Sequence, residues 1–405
     1  MEPLVERISI HGYRAAREVE LRPRSLCALV GEASTGKSTV LSAIWSLLDA
    51  AAPVPGAEDL SHGGDRVQIE AASGERTFFL DARPPGTLNL NREGAPPTLF
   101  LPASLRGGAL AAPSTTDEAV RAAELLRLGP VDPFAPHLNG DGGPAIVTGL
   151  ERLCEAGMRG LVILIEEPEL YLSPQAQRYL YRLLRRLAEG NQILYTTHAS
   201  TLLSVAHLEE LALVRHREDR GTTLCQPEAL ATDESFRALS EFDAERSEIF
   251  LARAALLVEG MTEKLAFPFA FDALGYDPDR EAVAILECGG KANIPLFARI
   301  CVECGIPFVV VHDRDAPRGE LPNESEQVTN GAIVKVAGRG RIVTLVPDFE
   351  ALVGLTSKRS RKPRKAYVRF RDGTAVPKPL VDAVQRVVAA ARGEHADAPG
   401  RARAA

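Results

Sequence analysis

The chain has 405 residues, 45% of them hydrophobic and 25% charged, with a formal net charge of −7 at pH 7. That length allows two or three domains with cores of their own, and the acidic balance excludes binding to nucleic acid through an overall positive field, so any such contact needs a local basic patch. No apolar run approaches the ~20 residues of a membrane-spanning helix, and MEPLVERISI alternates like an edge strand instead of following the basic-then-apolar pattern of a leader. A cytoplasmic protein without membrane contact is expected. The six cysteines (27, 154, 225, 288, 301, 304) fall in apolar segments and are expected to be reduced; Cys301 and Cys304 form a CxxC with no second pair to complete a zinc site.

In chain order, RISIHGY (7–13) and SLCALVG (25–31) read as strands separated by the turn-prone RPR of 22–24. A helix is expected from Ser38 to Ala50, followed by short strands at VQIEAA (67–72), RTFFLDA (76–82) and PTLFLPA (97–103). Helical segments run from Glu118 to Leu128 and, after the Gly-rich break at 139–143, to about Met158. LVILIEE (161–167), bounded by Gly160 and Pro168, is a continuous apolar run of the kind buried on both faces of a parallel sheet. The amphipathic helix SPQAQRYLYRLLRRLAEG and the strand QILYTTH follow it, which makes residues 1–248 an α/β domain. From 249 the pattern restarts with AALLVEG (254–260), AVAILEC (282–288), PFVVVHD (307–313) and RIVTLVP (341–347). These define a second, smaller α/β domain over 249–392 that ends in a helix, and the small, polar residues 393–405 are expected to be a disordered tail.

GEASTGKST (31–39) matches G-x-x-x-x-G-K-[ST] at Gly31, Gly36, Lys37 and Ser38, between an expected strand and an expected helix. Loop N–H groups and the helix N-terminus would cradle phosphates, with Ser34 and Thr39 as further nucleotide contacts. Lys37 would neutralise the β- and γ-phosphates of ATP and the Ser38 hydroxyl would ligate Mg²⁺. The buried strand LVILI delivers Glu166 and Glu167 to the same sheet edge, Glu166 to hold the Mg²⁺ shell and Glu167 to orient or deprotonate the attacking water. The bland alternative is a solvated acidic turn, which sits poorly after so apolar a strand. His198, at the end of QILYTTH, is either a structural histidine or a contact to the γ-phosphate.

A second acidic set stands in the later domain. In LLVEGMTEK (256–264) Glu259 ends a strand, Gly260 permits the turn, and Glu263 lies in the first turn of the next helix. In VVVHDRDA (309–316) Asp313 and Asp315 are two apart, so strand periodicity points both the same way and Arg314 elsewhere. Asp348 and Glu350 close the fourth strand. Like charges at the ends of buried strands call for a divalent cation, and all-oxygen ligands favour Mg²⁺ or Mn²⁺ over zinc. KRSRKPRK (358–365), with Arg369 and Arg371, is the densest basic stretch; it is either a solvated face or a clamp on a DNA backbone, and Lys291 is a further candidate phosphate contact.

IEEPELYLSP (165–174) and TTHAS (196–200) resemble the Walker B, D-loop and switch-histidine segments of ATP-binding-cassette ATPases of the SMC and RecF kind. That resemblance implies ATP sandwiched between two heads, hence a homodimer or higher homo-oligomer. The signature loop that should precede Walker B is represented only by LNGDGG (138–143), with Asn139 where the serine stands. The glutamate-glycine and DxD segments resemble the Toprim domain, and a Toprim domain following such a head resembles the OLD (overcoming lysogenization defect) family of ATP-dependent endonucleases. The resemblance spans about residues 4 to 370, including SEIFLARAALLVEG, CGGKANIP (288–295) and PDFE (347–350). It implies an ABC-type P-loop ATPase domain followed by a Rossmann-like Toprim domain with a parallel sheet, and DNA as the substrate. It further implies two metals bound by Glu259, Glu263, Asp313, Asp315 and Glu350, with Asp348 contributing, and a catalytic lysine at Lys362 or at Lys365. A role in anti-phage defence or DNA repair, with a further defence-system protein as partner, comes from the same source. The rival is a RecF- or SMC-like DNA-binding ATPase without nuclease activity. Topoisomerase and primase readings are disfavoured: one needs a nucleophilic tyrosine in a separate cleavage domain, the other a template-binding module, and neither is evident.

Overall fold

Apolar runs long enough to be buried on both faces dominate the middle of the first half of the chain, and they form the parallel centre of one large sheet. The computed structural model describes residues 2–103, 115–126, 143–231, 238, 241–355, 362–371 and 375–394. The chain divides into two units, Met1–Leu230 and Ala231–Ala405.

In the first unit the strands are β1 (Arg7–Tyr13), β2 (Ala16–Leu21), β3 (Leu26–Val30), β4 (Val67–Ser73), β5 (Arg76–Arg83), β6 (Thr87–Asn91), β7 (Thr98–Leu101), β8 (Val162–Ile165), β9 (Gln192–Thr197), β10 (Leu211–Arg217) and β11 (Gly221–Cys225). They form an 11-stranded sheet in the order β6-β5-β4-β1-β2-β11-β10-β3-β9-β8-β7. β10, β3, β9, β8 and β7 pair in parallel, so the loops after β3, β8 and β9 emerge at one edge. Every residue of β3, β8 and β9 is buried, as the continuous apolar runs require. The helix Lys37–Leu48 lays Val40, Leu41, Ile44 and Leu47 on this sheet. The helix Pro174–Ala188 is held at its start by the Ser173 hydroxyl, which accepts from Ala176 N–H at 3.3 Å.

β2, β6, β10 and β11 are additions to the expected strands. In β2 the buried residues are Ala16, Val19 and Leu21, so its spacing breaks strict alternation; β6 is an edge strand of exposed and half-buried residues.

The second unit contains β12 (Ala254–Val258), β13 (Val283–Glu287), β14 (Phe308–Asp313) and β15 (Ile342–Leu345), in the order β13-β12-β14-β15. All three pairings are parallel, so all four carboxyl ends share one edge. Phe267 and Phe271 of the helix Met261–Ala273 and Leu380, Val384 and Val387 of the helix Lys378–Ala391 join these strands in one core. The segment from Glu241 packs with this unit, although the boundary was expected near 248. Phe242 stacks on Phe297 with ring centroids 4.6 Å apart, and the Arg246 guanidinium donates to the Glu287 carbonyl at 3.1 Å and pairs with its carboxylate.

All six cysteines are free thiols, and Cys301 and Cys304 are buried. Among the described residues no helix is long and apolar enough to cross a membrane.

Candidate functional site

At the end of β3 the chain turns through a loop whose backbone only glycine fits at two points. A Cβ on Gly31 would stand 2.1 Å from the Val214 carbonyl oxygen, and one on Gly36, at φ +103°, would stand 2.1 Å from the Thr222 hydroxyl oxygen. Thr222 is fully buried on β11 and its hydroxyl donates to the Thr35 carbonyl at 2.9 Å, which props the loop from beneath. Lys37 is folded into the loop, its ammonium donating to the carbonyls of Gly31 (2.9 Å) and Glu32 (2.6 Å). Burial pushes its pKa down to about 8, against the pull of Glu167, Glu169 and Glu32. Ser34 and Ser38 are exposed and Thr39 is half-buried, so the loop presents hydroxyls outward from the helix start.

The acids after β8 lie on the same side. Glu166 accepts the Ala103 N–H at 3.1 Å. Glu167, at φ +41°, donates its N–H to the Thr196 hydroxyl at 3.0 Å, and its carboxylate is 3.6 Å from His198 Nε2. Burial first and Lys37 second hold the His198 imidazole below its usual pKa, and Glu167 opposes them. Thus Lys37, Glu167 and His198, distant in sequence, come within electrostatic reach of one another. Glu169, to which the sequence assigned no role of its own, is buried and accepts both the Thr197 hydroxyl (2.9 Å) and the His198 N–H (2.7 Å). Its other carboxylate oxygen is buried with no hydrogen-bond partner, and burial raises its pKa. The third acid of Glu166-Glu167-Pro168-Glu169 was the available signal.

In the second unit, Glu259, Glu263 and Asp313 gather where β12 and β14 end. Glu259 accepts the Asp313 N–H at 3.2 Å, Asp313 accepts the Phe349 N–H at 2.8 Å, and Glu263 folds back onto the Gly260 N–H at 3.2 Å. Burial, reinforced by Glu259 and Glu263, pushes Asp313 up to about 8. Burial, with Glu259 and Glu350 adding to it, pushes Glu263 up to about 7. Glu259 is raised as well, chiefly by burial. Glu350 stands in the first turn of the short helix Phe349–Leu352, and Asp348 caps it by accepting the Ala351 N–H at 2.7 Å.

Asp315 departs from expectation. β14 ends at Asp313, so strand periodicity no longer governs Asp315, which takes φ +60° and pairs with Lys291 at 2.5 Å. Lys291 is 7% exposed and binds Glu326 as well, at 2.7 Å. Its ammonium is therefore already engaged by protein carboxylates in this structure, and Glu326, on the helix Glu324–Ala337, is a partner that no motif announced.

Among the described residues, no group of three or more His, Cys, Asp and Glu side chains is gathered closely enough to hold a metal ion. The donor chemistry still fits one: an all-oxygen set whose carboxylates raise one another's pKa is relieved by a hard divalent cation. Lys365 is exposed on the helix Lys362–Arg371, which docks on Met261–Ala273 through an edge-on contact of Tyr367 and Phe269 at 5.2 Å. The Lys362 side chain, residues 358–361 of the basic stretch and residues 138–142 of the LNGDGG segment lie outside the described residues.

The fold and the two sites define a P-loop ATPase-type unit followed, in the same chain, by a Toprim unit. The family model described as overcoming lysogenization defect protein-like, TOPRIM domain, matches residues 250–315. A second, described as AAA domain, putative AbiEii toxin, type IV TA system, matches residues 145–204. The OLD nuclease of Thermus scotoductus is 37% identical over 269 residues, which are 60% of this chain and 51% of that protein. The Old nuclease of Escherichia phage P2 is 26% identical over 221 residues, 50% of this chain and 38% of that protein. The chain spans about half the length, or less, of these curated relatives. The SMC head domain from Thermotoga maritima aligns with 56% of this chain and 100% of that domain, at 17% identity and a TM-score of 0.37. Over these stretches the chain is similar to OLD-like proteins.

Proposed function

We propose that this chain is an ATP-hydrolysing, divalent-metal-dependent DNA endonuclease whose P-loop unit controls cutting at the Toprim unit. The observation that supports the reading best is the convergence of Glu259, Glu263 and Asp313 at one edge of a parallel sheet, each raised by burial. In the first unit Lys37 would turn from its two carbonyl partners to the phosphates of bound ATP, Ser38 and Glu166 would hold Mg²⁺, and Glu167 and His198 would orient the attacking water. In the second, Glu259, Glu263, Asp313 and Glu350, with Asp348 beside them, hold Mg²⁺ or Mn²⁺. Bound divalent ions supply charge neutralisation at the phosphodiester and a water of lowered pKa. Lys362 or Lys365 offsets charge building on the phosphate, and the basic stretch around them grips the DNA backbone. ATP sandwiched between two copies makes the working unit a homodimer, and a cytoplasmic defence or repair role fits such an enzyme.

The test is a cleavage assay on supercoiled and linear DNA with Mg²⁺, Mn²⁺ or Ca²⁺, each with and without ATP. Metal-dependent cutting by the native chain, absent after Asp313→Ala/Asp315→Ala, is the expected result. Undiminished cutting by that variant removes the Toprim assignment. ATP turnover with no cutting under any condition identifies a RecF- or SMC-like DNA-binding ATPase instead.

A further inference from the structure

Glu169 stands among the groups of the nucleotide site, yet no step of the proposed hydrolysis uses it. One of its carboxylate oxygens, Oε1, accepts two hydrogen bonds from the end of β9: the Thr197 hydroxyl at 2.9 Å and the His198 N–H at 2.7 Å. The Thr197 oxygen in turn accepts the Ala199 N–H at 3.0 Å. A single carboxylate oxygen therefore gathers, directly or through that hydroxyl, both backbone donors that follow the strand. The loop after β8 is fixed to β9 a second time through Glu167, whose N–H donates to the Thr196 hydroxyl at 3.0 Å and to the Thr196 carbonyl at 3.1 Å. These ties bracket the pair Glu167 and His198, whose carboxylate and Nε2 stand 3.6 Å apart. The second oxygen of Glu169, Oε2, is buried without a hydrogen-bond partner. A carboxylate withdrawn from water with one oxygen unpaired opposes folding, so stability alone does not account for it.

Resting on the ATP-hydrolysis part of the reading above, we propose that Glu169 is a positioning residue for that reaction. It holds the His198 main chain against the Glu167 loop and so sets where those two side chains meet the attacking water. A carboxylate grips N–H and O–H donors more strongly than a neutral amide does, which stiffens the link. Misplacing a reacting group by about 1 Å lowers a rate on the order of a hundredfold, whereas phosphate binding falls to the loop after β3. The signature of this role is a loss of turnover without a loss of nucleotide affinity.

The experiment measures kcat for ATP hydrolysis and Kd for ATP in the full chain, with a melting curve for each variant. Glu169→Ala is expected to lower kcat by about twentyfold or more and to leave Kd within about threefold. Glu169→Gln, whose amide oxygen can accept the same two donors, is expected to restore the rate to within about fivefold of native. Beside His198→Ala, Glu169→Ala should add less than about a twofold further loss, because a residue that acts through His198 then has nothing left to position. Additive losses overturn the proposal, as does a Kd that rises in step with the fall in kcat. Glu169→Gln as slow as Glu169→Ala overturns it too, since the charge itself would then be the working group, and so does His198→Ala at the native rate. If Glu169→Ala does not fold, Thr197→Val takes its place: it removes one of the two donors and should lower kcat by about fivefold, again with no further loss beside His198→Ala. Undiminished turnover by a folded Glu169→Ala, or by Thr197→Val in its place, overturns the role of Glu169 and leaves the ATPase reading standing. A native chain that binds ATP but does not turn it over under any condition removes the hydrolytic reading and this role with it.

Discussion

Thr222 supports the phosphate loop from a strand 187 residues further along the chain, through a hydroxyl that donates to the Thr35 carbonyl. Thr222→Val keeps the shape and removes the donor, leaving a buried carbonyl without that partner, a loss of about 1–2 kcal/mol. Nucleotide affinity is therefore expected to fall roughly five- to thirtyfold with the fold intact, as read by calorimetric titration with ATP alongside circular dichroism; unchanged affinity would show that the prop is not needed. Asp313 supplies a second prediction at this scale. Its folded pKa of about 8 lies above the ordinary 3.8, so the folded state binds the proton more tightly than the unfolded state does. The stability this contributes is fully present below about pH 4 and is lost as pH rises through about 8; Glu263, at about 7, acts in the same direction. The metal-free chain should accordingly lose thermal stability between pH 5 and 8.5, Asp313→Asn should flatten that decline, and Mn²⁺ should reverse most of it at the alkaline end. Melting curves across this range test all three, and equal slopes for native and variant proteins would refute the assignment. Gly31, Gly36, Lys37, Glu166, Glu167, Glu259 and Asp313 were legible in the sequence because each stands at a fixed offset from a strand end. Thr222 and Glu326 were not, because their partners are tertiary, and Asp315 was misread because β14 stops two residues before it.

Elements were legible in proportion to their apolar regularity. LVILI and QILYTT could be recognised as buried parallel strands because every position is apolar or pairs inside the sheet, whereas β2 skips a position and β6 buries none of its residues fully. The helix Lys362–Arg371 is the hardest case: it is rich in charge and gains its place from the buried Ala366 and Phe370, which join the core of the unit, and from the Tyr367 ring against Phe269. That makes it a sensitive point, because the helix carries both candidate lysines. Ala366→Glu buries a carboxylate against the helix Met261–Ala273 and should undock it. Cleavage is expected to fall by more than tenfold, while Mn²⁺ binding at Glu259, Glu263 and Asp313 stays within about threefold, since those side chains are fixed by backbone N–H groups of other elements. Full cleavage by this variant would remove the helix, and both lysines with it, from the reaction.

At the scale of the whole molecule, the restart of the strand pattern after 249 made two units legible, and each unit has an apolar core of its own. Substitutions at chemically active positions are therefore expected to act first within their own unit. Lys37→Ala removes the ammonium proposed to neutralise the nucleotide phosphates, so ATP hydrolysis should fall to background while Mn²⁺ binding to the nucleotide-free chain is unchanged. Asp313→Ala/Asp315→Ala should leave ATP hydrolysis within about twofold of native. Control of cutting by the first unit then becomes a measurable coupling free energy, the ratio of cleavage rates of native and Lys37→Ala chains at saturating Mn²⁺ and ATP. A regulatory head requires that ratio to differ from one by at least about fivefold, or roughly 1 kcal/mol; a rise after Lys37→Ala means that the nucleotide-loaded head restrains the nuclease, and a fall means that it drives it. Equal rates with and without hydrolysis would leave two independent activities on one chain and exclude control by ATP.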